Sequence, residues 1–213
     1  MKLAIFDLDG TLVDSMGIWE RLAYDYLNDK GLMVDSNIRE SLKEYSLYEA
    51  SFVIKERFKL EESGEEINRQ LEETLRHYYE NTIPLKKGVV DFLEYLKKKE
   101  IRMIVATATI DSLANSALCR LGIGHYFEFI QTCKAVGIEK YKREFYDLIV
   151  ERTGVDPKEM VLFEDALHSM EAAKKLGIKV IAIKDDSAKK NLVEIFNIAD
   201  LVVDDFIDLS LEL

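Results

Sequence analysis

Hydrophobic runs that end at polar, chemically reactive residues recur along the chain. Leu3–Phe6 is apolar throughout, and it is followed by Asp7 and then, two positions further on, by Asp9. Met103–Ala106 and Met160–Phe163 are apolar runs of the same kind. Uninterrupted apolar runs of this length are typical of strands that are buried on both faces of a parallel sheet. The pattern therefore predicts a buried sheet with reactive side chains at the ends of its strands.

From Pro84 onwards, strand-like and helix-like segments alternate. The predicted helices are 88–99, 111–121, 142–153, 166–176 and 187–196, and the predicted strands are 102–106, 127–130, 160–163, 179–183 and 201–203. Such alternation is typical of parallel sheets whose strands are joined by right-handed helical crossovers. A strand at 3–7 would have no partner elsewhere, so we expect it to join the same sheet. The sequence thus predicts an α/β fold with a Rossmann-like parallel sheet.

Residues 16–83 follow a different pattern. They contain no strand-like apolar run and no proline. Their apolar residues recur at helical spacing, as in Ile67, Leu71, Leu75 and Tyr78. We therefore predict an all-helical domain at 16–83, inserted directly after the first strand into a unit formed by 1–15 and 84–213.

Composition narrows the classes of partner. The chain has 213 residues and a formal net charge of −11. Binding to a phosphate backbone requires concentrated positive charge, so nucleic acid is not an expected partner.

No apolar run is long enough to span a membrane, and no signal-peptide pattern precedes the first strand. Two cysteines, Cys119 and Cys133, are too few for a disulfide framework. We expect a cytoplasmic protein with a small-molecule substrate.

Asp7 and Asp9 are the first candidates for chemistry. On a strand that continues past Phe6, side chains two positions apart share a face, so both carboxylates would point into one small volume. Such a pair favours a divalent cation and can divide the roles of nucleophile and proton donor. The alternative is an ordinary hairpin turn at Asp9-Gly10.

Two further strand ends favour a functional interpretation. Thr107-Ala108-Thr109 follows the second apolar run, and Glu164-Asp165 follows the third. Ligands of open parallel sheets bind beyond the carboxyl ends of the strands, which predicts one common site. Thr109 is predicted to be the N-cap of the helix that follows it. The structural alternatives are that Asp165 caps its helix, which is compatible with metal binding, and that Thr107 is an ordinary strand-end residue.

Asp7-Leu8-Asp9-Gly10-Thr11 resembles the D-x-D-G-T motif of the haloacid dehalogenase superfamily of phosphohydrolases. The helical insertion resembles that of the branch containing beta-phosphoglucomutase and many small-metabolite phosphatases. The resemblance implies a catalytic core with a helical cap domain. It also implies that Asp7 attacks phosphorus to form an aspartyl-phosphate, and that Asp9 protonates the leaving alcohol and then activates water.

The resemblance assigns phosphate binding to Thr107, Ala108 and a lysine. The family's lysine usually lies in K-P-x-P, but this chain has neither proline around Lys140 and Lys142. The family often places an aromatic residue six positions after the lysine. Tyr146 stands in that relation to Lys140, so Lys140 is the prediction and Lys142 remains the alternative.

The acidic pair Glu164-Asp165 corresponds to the family's fourth motif. The resemblance implies a Mg²⁺ site formed by Asp7, the Asp9 carbonyl and Asp165, with Glu164 bound directly or through water. Carboxylate and carbonyl oxygens are the ligands that Mg²⁺ prefers.

The function that the resemblance favours is a Mg²⁺-dependent phosphatase for a small phosphorylated metabolite. A beta-phosphoglucomutase-like mutase is the first alternative, although its typical histidine is absent between Met16 and Arg21. Dehalogenase and phosphonatase relatives replace the second aspartate of the first motif, whereas Asp9 is present here. A non-enzymatic binding protein on the same fold is the second alternative.

Overall fold

Two compact units make up the chain. A computed structural model describes residues 1–42, 45–207 and 209. One unit consists of Met1–Met16 and Ile83–Leu213, and the other of Gly17–Thr82. Within the described residues, no helix is both long enough and apolar enough to cross a membrane.

A parallel sheet forms the centre of the first unit. Over the described residues its strands are β1 (Leu3–Phe6), β2 (Arg102–Thr107), β3 (Ile130–Thr132), β4 (Met160–Glu164), β5 (Lys179–Ile183) and β6 (Leu201–Val203). Their order is β3-β2-β1-β4-β5-β6, and every pairing is parallel. Helices connect most successive strands, as expected for crossover connections. The predicted Rossmann-like α/β fold is confirmed.

The α-helices, in chain order, are α1 (Met16–Asp29), α2 (Leu47–Phe58), α3 (Gly64–Asn81), α4 (Val89–Lys98), α5 (Asp111–Arg120), α6 (Cys133–Val136), α7 (Arg143–Thr153), α8 (Leu167–Lys174) and α9 (Leu192–Ile198). Short 3-10 helices lie at Ser36–Ser41, Gly124–Tyr126, Pro157–Glu159 and Asp186–Asn191. The second unit is all-helical in its described part, as its apolar periodicity predicts.

The strand predicted at 127–130 and the helix predicted at 187–196 differ from the structure, and α6 is a short helix that the sequence did not predict. The strand predicted at 127–130 lies later, at β3, and the short helix α6 follows it at once because the Thr132 side chain accepts a hydrogen bond from the Ala135 N–H. The helix predicted at 187–196 is divided, since the Asp185 side chain caps a 3-10 turn before α9 begins.

Side-chain capping explains where two helices of the second unit, α2 and α3, begin. α2 starts with a reciprocal capping box between Ser46 and Glu49, and the Ser63 side chain accepts from the Glu66 N–H at the start of α3. Each such cap satisfies an N–H group that has no partner inside the helix. Within this unit, Trp19 Nε1 donates to the Tyr79 hydroxyl at 2.9 Å.

Aromatic packing joins the two central strands of the first unit. The Phe6 ring of β1 stacks on the Phe163 ring of β4, with centroids 4.6 Å apart and planes within 8°. Phe92 and Phe206 pack against both rings. This cluster lies one residue before the polar ends of β1 and β4, so it supports the strand ends directly.

We expect Phe163→Ala to lower the free energy of unfolding by about 3–5 kcal/mol, because it leaves a cavity in the aromatic cluster. Phe196 is 57% exposed, so the matched variant Phe196→Ala should change the stability by less than about 0.5 kcal/mol. Urea denaturation of both variants measures the difference. Equal effects of the two substitutions would contradict the central role of the cluster.

Candidate active site

The carboxyl ends of three adjacent strands lie at one edge of the sheet. β1 is flanked by β2 on one side and by β4 on the other. The chain adds β2 and β3 on one side of β1 and the later strands on the other, so the order of the strands reverses beside β1. Asp7 directly follows β1, Thr107 ends β2 and Glu164 ends β4. The Asp7 N–H donates to the Phe163 carbonyl at 3.0 Å, which ties Asp7 to β4. Ligands of open α/β sheets bind at such a reversal.

A buried ion-pair cluster lies at this edge. Lys140 Nζ is 2.5 Å from Asp7 Oδ1 and 2.7 Å from Glu164 Oε2. The three side chains are at most 7% exposed. Lys142 is exposed, and its Nζ lies 5.8 Å from the centre of the Tyr141 ring. The structure therefore brings Lys140 to the carboxylates and leaves Lys142 at the surface.

Three buried carboxylates of the site fit a hard cation. Oxygen atoms of Asp7, Glu164 and Asp165 all lie within 4.8 Å of one another. Asp165 does not cap α8, because the N-cap residue is Ala166 and no side-chain cap bond is present there. A donor set made only of carboxylate oxygens suits Mg²⁺. The Asp9 side chain is not part of this group of three described residues; metal binding by the Asp9 carbonyl stays a prediction.

The charges of the cluster are unbalanced. Burial raises the pKa of Asp7 to about 8; the charge of Glu164 adds to the rise and Lys140 opposes it. Burial, followed by the charge of Glu164, also raises the pKa of Asp165 well above its usual range. Burial alone would lower the pKa of Lys140, but the charges of Asp7 and Glu164 outweigh it and hold that pKa well above its usual value. Burial thus disfavours the charged carboxylates, and a cation bound beside them would favour their charged form.

Asp9 lies in a tight turn, and the predicted continuation of the strand is wrong. β1 ends at Phe6. Beyond it, the Gly10 N–H donates to the Val13 carbonyl and the Val13 N–H donates to the Leu8 carbonyl, both at 2.9 Å. Gly10 has φ +79°, a conformation that side chains disfavour. The turn, rather than strand periodicity, brings the two aspartates to one site.

Gly10 also allows a close approach to the acidic pair. A Cβ atom at this position would lie 2.5 Å from Asp165 Oδ2. Any side chain at position 10 would therefore displace a carboxylate of the proposed metal site.

Two hydroxyl groups hold the Asp9 carboxylate. Ser15 Oγ donates to Asp9 Oδ1 and Thr109 Oγ1 donates to Asp9 Oδ2, each at 2.6 Å. Thr109 does not cap α5 as predicted, because the N-cap residue is Ile110. The Thr109 N–H donates to Thr107 Oγ1 at 3.0 Å. Sequence reasoning missed the contact of Ser15, since nothing in a turn of unknown geometry indicates which hydroxyl reaches Asp9.

Ala108 is exposed between the two threonines. Its backbone connects the buried end of β2 to Thr109, and the structure places no polar side-chain group there. Any contact of this residue with phosphate must therefore come from its backbone.

Comparison with known proteins agrees with this geometry. A family model described as haloacid dehalogenase-like hydrolase matches residues 4–183. The chain is 28% identical over 181 residues to a phosphorylated carbohydrates phosphatase from Thermotoga maritima, covering 85% of this chain and 84% of that protein. It is 25% identical over 181 residues to a fructose-1-phosphate phosphatase from Escherichia coli, covering 84% of this chain and 95% of that protein.

A solved structure is similar over the whole chain. Beta-phosphoglucomutase from Clostridium difficile superposes with a TM-score of 0.73 at 26% identity, covering 100% of this chain and 94% of that one. Family membership and the phosphatase relatives identify an enzyme, so a non-enzymatic role is not supported. The chain belongs to the haloacid dehalogenase-like hydrolase family, as its motifs predict, and it is a hydrolase of the phosphatase type.

Proposed function

We propose that the protein is a Mg²⁺-dependent phosphatase that hydrolyses a small phosphorylated sugar through an aspartyl-phosphate intermediate. The observation that carries the proposal is the buried cluster in which Lys140 contacts both Asp7 and Glu164. The sugar class is taken from the relatives, which are named for phosphorylated carbohydrates and fructose 1-phosphate. The domain boundaries expected from the sequence make 16–83 the cap domain of this enzyme.

Asp7 is the proposed nucleophile. Its carboxylate oxygen attacks phosphorus, and the bond between phosphorus and the ester oxygen breaks. A carboxylate is a weak nucleophile towards an anionic phosphate, so the approach requires positive charge. Lys140 supplies that charge at 2.5 Å from Asp7 Oδ1. The Thr107 hydroxyl accepts from the Thr109 N–H, and it can itself donate to a phosphoryl oxygen.

Asp9 is the proposed acid–base group. It gives a proton to the departing alkoxide, and in the second step it takes a proton from the water whose oxygen attacks phosphorus. The Asp7–phosphorus bond then breaks and inorganic phosphate is released. Two successive steps replace one displacement with a higher barrier.

Asp7, Glu164 and Asp165 would hold the Mg²⁺ ion together with the Asp9 carbonyl. When bound, Mg²⁺ neutralises charge on the phosphoryl oxygens. The fit rests on the compact, buried donor set and on the raised pKa values of Asp7 and Asp165, whose buried charged forms a cation would stabilise.

We expect the wild type to release phosphate from hexose monophosphates, fructose 1-phosphate among them, without a bisphosphate activator. Asp7→Asn should lower kcat by at least ~10³-fold, because an amide cannot replace the nucleophile. Acid-quenched wild type should carry radiolabelled phosphate that neutral hydroxylamine removes, and Asp7→Asn should carry none. Asp204→Asn, at an exposed position, is the control.

Activity of Asp7→Asn within tenfold of the wild type would exclude Asp7 as the nucleophile. A second measurement sets free phosphate against isomer formation from beta-glucose 1-phosphate with a trace of glucose 1,6-bisphosphate. Rapid isomerisation with little phosphate release would contradict the phosphatase assignment.

Removal of the metal should abolish turnover. Asp165→Asn should raise the Mg²⁺ concentration needed for half-maximal activity by at least about tenfold, because the substitution removes a charged ligand. Titration calorimetry of Mg²⁺ binding gives a readout that does not depend on turnover. Asp186→Asn, which removes an exposed carboxylate, should leave both measurements unchanged. Full activity in excess chelator would contradict the metal site.

Lys140→Met should lower kcat by at least about 10²-fold, because it removes the ammonium group that pairs with Asp7. Lys142→Met should keep kcat within about twofold of the wild type, since its side chain is exposed. Thermal melts establish that both variants fold. The opposite ranking would assign the catalytic lysine to Lys142.

A further inference from the structure

Both oxygens of the Asp9 carboxyl group are engaged by buried hydroxyl groups. Ser15 and Thr109 each donate to a different oxygen at 2.6 Å. Distances this short are typical of strong hydrogen bonds between a hydroxyl and a carboxyl group. Ser15 is fully buried and Thr109 is 6% exposed, so water competes poorly for either contact.

The backbone turn does not by itself fix the orientation of the Asp9 side chain. Its turn is closed by hydrogen bonds of Gly10 and Val13, and the side chain is only partly buried. An aspartate side chain has two rotatable bonds, and the second has a broad energy minimum. Without further contacts its oxygens would occupy several positions. Hydrogen bonds to both oxygens restrict the two torsions together.

Thr109 connects Asp9 to the end of β2. Its N–H donates to Thr107 Oγ1 at 3.0 Å, and its hydroxyl donates to Asp9 Oδ2. One residue thus bridges the hydroxyl proposed to bind phosphate and the carboxyl group proposed to move the proton. Their separation is set by a chain of two hydrogen bonds.

We propose that Ser15 and Thr109 are positioning residues. Together they form the Asp9 clamp, which orients the Asp9 carboxyl group first towards the ester oxygen and then towards the attacking water. The inference rests on the proposed function, because it assumes that Asp9 gives a proton to the ester oxygen and takes one from the attacking water. A hydroxyl can donate or accept. The Asp9 clamp therefore survives both when the carboxyl group has lost its proton and when it has regained it.

Two substrates with different leaving groups separate proton transfer from the rest of the reaction. The alcohol of a hexose monophosphate is a strong base and needs a proton as it leaves, whereas p-nitrophenolate is a weak base and leaves without one. The ratio kcat/KM covers the steps up to departure of the leaving group. If the Asp9 carboxyl group is wrongly oriented, kcat/KM must therefore fall much more for the hexose ester than for p-nitrophenyl phosphate.

Thr109→Val is the decisive variant, because valine keeps the shape of threonine and removes its hydroxyl. We expect kcat/KM for the best hexose monophosphate to fall about 10- to 100-fold, and that for p-nitrophenyl phosphate to fall less than about threefold. Ser15→Ala should show the same selectivity. Thr109→Ser, which restores a hydroxyl, should recover most of the loss. Thr153→Val removes a hydroxyl that is hydrogen-bonded to the backbone of Ile149 and Val155, and it should leave kcat/KM for both esters unchanged.

The outcomes divide clearly. A loss in Thr109→Val that is equal for both esters, or smaller than about threefold for the hexose ester, would overturn the Asp9 clamp while the phosphatase assignment stands. Failure of Thr109→Ser to recover activity in a folded variant would also overturn it. A wild type that hydrolyses neither ester would overturn the proposed function, and the Asp9 clamp with it.

Discussion

The contact of one buried ammonium group with two buried carboxylates is the interaction on which the rest of the site depends. Lys140 comes from the segment between α6 and α7, yet its Nζ lies within 2.7 Å of both Asp7 and Glu164. Removing one partner of a buried ion pair typically costs 3–5 kcal/mol, because the remaining charge has no compensation. The other Glu164 oxygen accepts from the N–H groups of Asp165 and Ala166. The same carboxylate therefore holds the lysine and the start of α8.

The polar residues at the strand ends could be predicted from the sequence because they directly follow the apolar runs that predict the strands. An apolar run followed by a carboxylate, repeated in a chain with alternating strands and helices, predicts both the parallel sheet and the edge at which Asp7, Thr107 and Glu164 meet. Lys140 could be preferred over Lys142 only through the resemblance, from its spacing to Tyr146. Burial of that lysine depends on how the loop packs, which no local pattern encodes.

The parts that the sequence did not predict depend on contacts between distant residues. The hydrogen bond from Thr109 to Asp9 spans 100 positions. No helix propensity distinguishes a threonine that donates to a distant carboxyl group from one that caps its own helix. The turn at Gly10 is a second example. Spacing by two residues is consistent with a strand or with a turn. In the structure Gly10 has φ +79° and turns the chain, and Asp165 lies so close that a Cβ atom at position 10 would clash with it.

Two aspartates that are two residues apart lie in different surroundings, and each environment suits the role proposed for it. Asp7 is buried against a cation and other carboxylates, where a negative charge is costly unless it is compensated. Asp9 lies in a turn at the edge of the sheet, where the Ser15 and Thr109 hydroxyl groups donate to its two carboxyl oxygens. A nucleophile benefits from fixed charge around it, whereas a group that gives and takes a proton needs partners that tolerate both states. Ion pairing at one position and hydroxyl contacts at the other meet these two requirements within a single turn of the chain.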